Sequence, residues 1–238
     1  MTLRAVVFDF DGVIANSEPL HCRAFQEALA RTGITITEAE YYARYLGYDD
    51  VGTFTVAASD HGRTWTKAEL AGLMSHKAAR LEELERDQSV LFPGAEAAIR
   101  RLAAAYPLAI ASGALRREIV RVLERENLSD FFAALVSAED TPASKPAPDP
   151  YALAVKLLAQ RLNSPLSPRE CLAVEDSRWG IESARAAGLM TIGITNSYGA
   201  DVLSAADTVV PHLDVLSTEF LGRLARSLEA GRASDTAF

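Results

Sequence analysis

The chain has 238 residues, of which 49% are hydrophobic and 24% are charged, a balance typical of a folded globular protein. Its formal net charge of −8 disfavours nucleic acids and anionic membranes as partners, because both are themselves negatively charged. An anionic small molecule would have to meet a local cation or backbone amides. The length suits one large domain, or a core with a smaller insert.

The amino terminus and the two cysteines indicate where the protein works. The first apolar stretch leads directly into Asp9 and Asp11, unlike a signal peptide, and no apolar run approaches membrane-spanning length. Cys22 and Cys171 match no metal or redox spacing. We therefore expect a cytoplasmic protein with two reduced thiols, and the sequence does not indicate its oligomeric state.

Six short apolar runs recur along the chain, and helical patterns separate most of them. Near-continuous apolar strands that alternate with helices predict an α/β fold with a parallel sheet covered on both faces. The predicted strands are 3–8, 108–112, 134–137, 171–176, 190–194 and 208–210, and the helices 94–106, 116–126, 150–161 and 178–187.

The interval between the first two runs shows little strand character. It contains three helical patterns, at 19–31, 38–46 and 67–87. A single crossover needs only about a dozen residues, so this stretch is longer than a connection requires. We predict an all-helical domain over 16–91, inserted into a core formed by 1–15 and 92–238.

The end of the first predicted strand carries two carboxylates, Asp9 and Asp11. Side chains two apart on a strand share a face, and the carboxyl ends of strands bind ligands in open α/β sheets. Neighbouring carboxylates repel each other and are costly to desolvate. A cation or a shared proton is therefore expected here.

Three further segments carry polar groups, and each allows two interpretations. Ser112-Gly113, just before a helix, is either an anion site or a helix cap. Lys145, in a loop stiffened by prolines, is either a solvated lysine or an ammonium positioned against carboxylates or phosphate. Glu175-Asp176 either caps the next helix or joins the first two aspartates around Mg²⁺, which selects oxygen ligands.

The order of these segments resembles the haloacid dehalogenase superfamily, and the helical insert resembles the cap of its β-phosphoglucomutase and phosphoglycolate phosphatase branch. The resemblance implies a Rossmann-like, doubly wound core with a helical cap. It also implies Mg²⁺-dependent hydrolysis of a phosphate monoester, a small phosphorylated metabolite or sugar phosphate, through an aspartyl-phosphate. The segments are Asp9-Phe10-Asp11-Gly12-Val13, Ser112-Gly113, Lys145-Pro146 and Glu175-Asp176-Ser177.

The resemblance assigns catalytic roles to three residues. Asp9 is the expected nucleophile, and Asp11 is the expected general acid and then base. The dehalogenases of this fold lack the second aspartate, so Asp11 favours phosphoryl transfer. Lys145 would balance charge between Asp9 and the phosphate.

Metal and substrate contacts follow from the same resemblance. Asp9, the Asp11 backbone carbonyl and Asp176 would hold Mg²⁺, with Glu175 acting through water. The Ser112 hydroxyl and the Gly113 amide would bind the phosphoryl oxygens.

Two residues of the helical insert are further candidates for substrate binding. His21 and Lys77 match a histidine and a lysine of the β-phosphoglucomutase type, although His21 is also interpretable as an ordinary helix residue and Lys77 as a solvated helix lysine. The mutases carry an arginine in the loop where this chain has Asp49 and Asp50. Two aspartates would repel a second phosphate, which favours a phosphatase over the alternative of a sugar-phosphate mutase. A catalytically silent binding protein on the same fold is a further alternative.

Overall fold

The chain divides into two compact units in the computed structural model, which describes residues 2–46, 48–86 and 89–235. The core unit joins Met1–Asn16 to Leu91–Phe238, and the helical unit is Ser17–Val90. These divisions lie one residue from the predicted boundaries. No helix in the described ranges is long and apolar enough to cross a bilayer.

The core unit contains a sheet of six parallel strands in the order β3-β2-β1-β4-β5-β6. In the centre, Val7 is aligned with Ala109 of β2 and Ala173 of β4. The four middle strands are buried at every residue, as expected for a sheet with helices on its faces. The strands are β1 Ala5–Phe8, β2 Leu108–Ala111, β3 Phe132–Val136, β4 Cys171–Glu175, β5 Met190–Ile194 and β6 Thr208–Val210.

In its described residues, the helical unit contains one helix more than the sequence predicts. Asp49 caps that helix, because its side chain accepts the backbone N–H of Gly52 at 2.7 Å. The predicted 38–46 helix is short and continues as a π-helical turn over Tyr41–Tyr45. The last predicted residue of the long helix, Asp87, lies outside the described residues. The helices are α1 Glu18–Ala30, α2 Glu38–Glu40, α3 Asp50–Asp60 and α4 Lys67–Arg86.

Aromatic side chains form the centre of the helical unit. The Phe25 ring of α1 lies 5.0 Å from that of Phe54 in α3 and 5.8 Å from that of Tyr41, measured between centroids. Tyr45 belongs to the same buried cluster, as does Leu73 of α4. These tyrosines therefore stabilise the unit by burying apolar surface.

The helices of the core unit cover the sheet. Helix α7 packs against β1, β2 and β3, and α8 packs against β4 and β5. The prediction of an α/β, Rossmann-like parallel sheet with flanking helices is thereby confirmed. Cys22 and Cys171 are both buried free thiols. The helices are α5 Ala95–Ala103, α6 Arg116–Arg125, α7 Asp149–Leu162, α8 Arg178–Ala186 and α9 Thr218–Asp235.

Candidate active site

Three acidic residues meet where β1 and β4 end. Asp9 follows β1 directly, and its backbone N–H donates to the carbonyl of Val174 in β4 at 2.9 Å. Glu175 ends β4 and Asp176 comes next. All three acids are buried, and each offers a carboxylate oxygen within 4.8 Å of the other two. The adjacent parallel strands therefore concentrate negative charge at one point.

Lys145 connects two of these carboxylates. Its Nζ lies 2.7 Å from Asp9 Oδ1 and 2.6 Å from Glu175 Oε1. The ammonium also lies 5.1 Å from the centroid of the Tyr151 ring. Because its side chain is only 13% exposed, Lys145 is a positioned ammonium, and the alternative of a solvated surface lysine is wrong.

Glu175 holds Lys145 through a set of hydrogen bonds. Its Oε1 also accepts the Tyr151 hydroxyl at 2.8 Å, and its Oε2 accepts the Ser177 hydroxyl at 3.2 Å. Gly180, in the first turn of α8, makes room for this carboxylate. A Cβ at Gly180 would lie 1.8 Å from Glu175 Oε1. With its oxygens engaged in this way, Glu175 is suited to orienting Lys145.

Asp176 is packed against the turn that follows β1. Gly12 has a φ of 77°, and a Cβ there would lie 1.8 Å from Asp176 Oδ2. The Gly12 carbonyl accepts Asn196 Nδ2 at 2.8 Å, and the Ser197 side chain acts on Asp176 to lower the pKa of its carboxyl group. Asp11 immediately precedes this glycine, and its charge acts on Asp176. Only glycine combines this backbone conformation with such a close approach.

Burial and mutual repulsion raise the pKa values of the carboxyl groups. Burial, followed by the charge of Glu175, raises the pKa of Asp9 well above its usual range. The same two causes raise the pKa of Asp176 to about 7. Burial alone would lower the pKa of Lys145, but the charges of Asp9 and Glu175 outweigh it and raise that pKa. A bound cation would reverse the shifts of the two aspartates.

The donor set fits a hard divalent cation. Asp9, Glu175 and Asp176 offer only oxygen atoms within 4.8 Å of one another, and oxygen ligands are those that Mg²⁺ prefers. Cys171, the cysteine of the core unit, belongs to β4 and does not join this set. The chemistry of the cluster therefore agrees with magnesium and disfavours a thiophilic metal.

Ser112 lies at the end of β2, the strand beside β1. Its backbone N–H donates to Val136, and its side-chain oxygen accepts the Ala114 N–H at 3.0 Å. Helix α6 begins at Arg116 with Leu115 as its N-cap, so the alternative in which Ser112 caps this helix is wrong. Within the described ranges, no acceptor is found for the Ser112 hydroxyl proton. The neighbouring Gly113 is exposed.

His21 and Lys77 lie together in the helical unit. Lys77 Nζ donates to His21 Nδ1 at 3.1 Å and to Asp50 Oδ1 at 2.7 Å. It also lies 4.6 Å from the centroid of the Phe25 ring, and Lys77 is only 1% exposed. The alternative of a solvated helix lysine is therefore wrong for Lys77, whose ammonium is engaged inside this unit.

The same contacts change the interpretation of the acidic loop. Asp49 is a helix cap and Asp50 is ion-paired with Lys77. The predicted repulsion of a second phosphate assumed that Asp49 and Asp50 both carry an uncompensated negative charge. The charge of Asp50 is balanced by the ammonium of Lys77. The loop therefore disfavours a mutase less than the sequence predicts.

Three further residues around the site were not predicted from the sequence. Tyr151 donates to Glu175, Asn196 donates to the Gly12 carbonyl, and Ser197 contacts Asp176. Asn196 and Ser197 come just after β5. Polar residues that directly follow an apolar strand predicted the site residues at the ends of β1, β2 and β4. The same pattern therefore occurs after β5 as well.

Residues 3–188 match the family model for haloacid dehalogenase-like hydrolases. The chain is 33% identical over 232 residues to protein CbbY of Rhodobacter capsulatus, covering 94% of this chain and 100% of CbbY. It is 30% identical to phosphoglycolate phosphatase of Yersinia pestis, covering 88% and 90%. Its fold is similar to the crystal structure of β-phosphoglucomutase from Clostridium difficile, with a TM-score of 0.76, 20% identity and coverage of 97% and 100%.

These similarities confirm the predicted enzyme class. The match covers most of the chain, and a relative aligned along nearly its whole length is named as a phosphatase. The prediction of an enzyme of the phosphatase type is therefore confirmed, and the alternative of a silent binding protein loses its basis. The chain belongs to the family of haloacid dehalogenase-like hydrolases.

Proposed function

We propose that the protein hydrolyses phosphate monoesters of small phosphorylated metabolites, with Mg²⁺ and through an aspartyl-phosphate on Asp9. The observation that carries this proposal is the position of Lys145, 2.7 Å from Asp9 and 2.6 Å from Glu175. A carboxylate that attacks a phosphoryl dianion meets strong repulsion. A fixed ammonium beside the nucleophile offsets that repulsion, which is the main requirement for catalysing phosphoryl transfer.

The two aspartates after β1 divide the chemistry between them. An Asp9 carboxylate oxygen attacks phosphorus, and the bond from phosphorus to the leaving oxygen breaks while Asp11 donates a proton to that oxygen. Asp11 then removes a proton from water, whose oxygen attacks phosphorus. The bond between phosphorus and Asp9 breaks, which releases phosphate and restores the carboxylate.

The remaining residues bind the phosphoryl group and the metal. Asp9, the Asp11 backbone carbonyl and Asp176 would hold Mg²⁺, which when bound neutralises charge on the carboxylates and phosphoryl oxygens. The Ser112 hydroxyl proton and the Gly113 amide are suited to donate to phosphoryl oxygens. Glu175 holds Lys145 in place, and any contact of it with the metal would pass through water.

The substrate class is supported by the relatives. Phosphoglycolate phosphatase and fructose-1-phosphate phosphatase are among them, and both names specify small phosphorylated metabolites. Substrate contacts by His21 and Lys77 stay predictions. A Lys77 contact would have to compete with the existing ion pair to Asp50.

Phosphate release from a panel of monoesters, with and without Mg²⁺, tests this function. Asp9→Asn keeps the shape of the side chain and should lower turnover by at least about 1,000-fold, since the nucleophile is lost. Asp201→Asn makes the same change at an exposed position of the core unit and should leave turnover unchanged. An aspartyl-phosphate analogue, beryllofluoride with Mg²⁺, should bind the unchanged protein. No release from any monoester would refute the proposal.

A sugar-phosphate mutase is the second candidate, because the charge of Asp50 is balanced by Lys77. The same panel separates the two activities. A phosphatase releases inorganic phosphate, whereas a mutase supplied with a sugar monophosphate and a catalytic amount of bisphosphate converts one monophosphate isomer into another. Isomer formation that exceeds phosphate release would favour the mutase.

A further inference from the structure

A groove in the helical unit combines basic side chains with an indole ring. It has a volume of about 550 Å³, within the range of small-molecule sites, which is roughly 300–1,000 Å³. It runs between the end of α1, the segment before α4 and one side of α4. The lining side chains that matter here are Arg31, Arg63, Trp65, Glu69, Leu73 and His76.

The two arginines of the groove have no carboxylate partner within the part of the chain that the structure describes. Arg31 donates to His76 Nε2 at 3.4 Å, and Arg63 donates to the Thr32 carbonyl. Other arginines of this unit, such as Arg23 and Arg80, are paired with acids. In a chain with a net charge of −8, two uncompensated guanidinium groups beside one groove favour an incoming anion.

Among the described residues that line the groove, the single acid is engaged elsewhere. Glu69 Oε2 accepts both the backbone N–H and the hydroxyl of Thr66, at 2.8 and 2.7 Å. These bonds form the capping arrangement at the start of α4. The carboxylate is thereby directed to Thr66, and the groove keeps an excess of positive charge.

Apolar surface complements the charge. Leu73 is buried at the groove, and Trp65 is half-buried, with its indole N–H donated to the Phe54 carbonyl at 2.8 Å. Gly72 leaves the α4 side open, because a Cβ there would have no atom within 4 Å. An indole and a leucine beside two guanidinium groups suit a ligand with a flat apolar body and an anionic group.

We propose that this groove is a binding site for a small organic anion, a phosphate or carboxylate carried on an aromatic or apolar body. The site shares no residue with the catalytic set and does not depend on the proposed phosphatase reaction. Its ligand would contact Arg31 and Arg63 through the anion and Trp65 through the apolar body.

Fluorescence of Trp65 tests the proposal directly. The chain has two tryptophans, so Trp179→Phe in the full-length protein leaves Trp65 as the only indole reporter. Phenylphosphonate is a suitable probe, because it is anionic and aromatic and its carbon–phosphorus bond resists hydrolysis. We expect a saturable change in emission, and no change with benzyl alcohol, which lacks the charge.

Matched variants locate the binding. Arg31→Gln and Arg63→Gln should each weaken binding at least tenfold, the loss expected for a charge-assisted hydrogen bond. Arg23→Gln changes an arginine outside the groove and should leave affinity unchanged. Glu69→Gln keeps a capping side chain and should tighten binding, whereas Gly72→Leu should block the groove without lowering Tm.

Three outcomes would overturn the proposal. They are the absence of a saturable response, equal affinity in Arg23→Gln and both groove variants, and an equal response to benzyl alcohol. Because the readout is emission from Trp65, a failure here leaves the phosphatase proposal intact, and loss of phosphatase activity would leave this result standing.

Discussion

Gly180→Ala should destabilise the protein, although alanine is the better helix former. Gly180 lies in the first turn of α8, where a Cβ would come within 1.8 Å of Glu175 Oε1 and 1.9 Å of its Cδ. Glu175 is fully buried and bonded through both oxygens, so it cannot turn away without losing partners. The substitution therefore displaces the carboxylate that holds Lys145.

The cost follows from the bonds that would be lost. Displacing Oε1 breaks its bonds with Lys145 and Tyr151, at 2.6 and 2.8 Å. Hydrogen bonds to charged groups contribute about 1.5–3 kcal/mol each. Alanine in place of a helical glycine raises the free energy of unfolding by about 1 kcal/mol, because it is the better helix former. The net loss is about 2–5 kcal/mol, or a fall in Tm of the order of 10 °C for a chain of this size.

Thermal and urea unfolding of the full-length chain measure this loss, and Gly72→Ala is the matched control. Gly72 also lies within a helix, but a Cβ there meets nothing within 4 Å, so alanine should raise stability by up to about 1 kcal/mol. The same glycine-to-alanine change should thus lower the stability of the protein in α8 and raise it in α4. Equal effects of Gly180→Ala and Gly72→Ala would refute the argument from the position of Glu175.

Three further predictions concern charge. Lys145→Met should lower stability by about 3–5 kcal/mol in urea unfolding, because it leaves buried carboxylates unpaired; a loss below about 1 kcal/mol would contradict this. Because the pKa of Asp176 is raised to about 7, above its unfolded value, the metal-free protein should lose stability as pH rises through about 7. Mg²⁺ should therefore raise Tm more at pH 8 than at pH 5, relative to EDTA, and equal increments would refute this sign. In the helical unit, Asp50→Asn should cost about 1–3 kcal/mol in urea unfolding by leaving buried Lys77 without its carboxylate partner, and Lys77→Met should cost less; the reverse order would count against a stabilising ion pair.

The sheet could be predicted closely from the sequence. All six strands coincide with apolar runs, because strands buried on both faces require almost uninterrupted apolar residues. Helix α3 was missed because its apolar residues form no clear stripe and its cap, Asp49, was interpreted as part of an acidic loop. Helix α9 was also missed, since no strand follows it to mark an alternation of elements.

The set of side chains that meet at the candidate site was only partly predictable from the sequence. The positions of Asp9 and Asp176 follow from parallel strands that end at one edge of the sheet. The bond from Tyr151 to Glu175 depends on how α7 packs on the sheet, and the ion pair of Asp50 depends on α3, which was not predicted. Tertiary packing, which leaves little trace in local sequence, decides such contacts.

The buried cluster at the ends of β1 and β4 has a consequence for ion selectivity. Three buried carboxylates face one ammonium, so two negative charges lack compensation within the cluster when all three carboxyl groups are ionised. A doubly charged ion would neutralise it completely, whereas sodium or potassium would leave an excess charge away from water. The protein should therefore discriminate strongly against monovalent ions on the basis of charge alone, before size or geometry contributes.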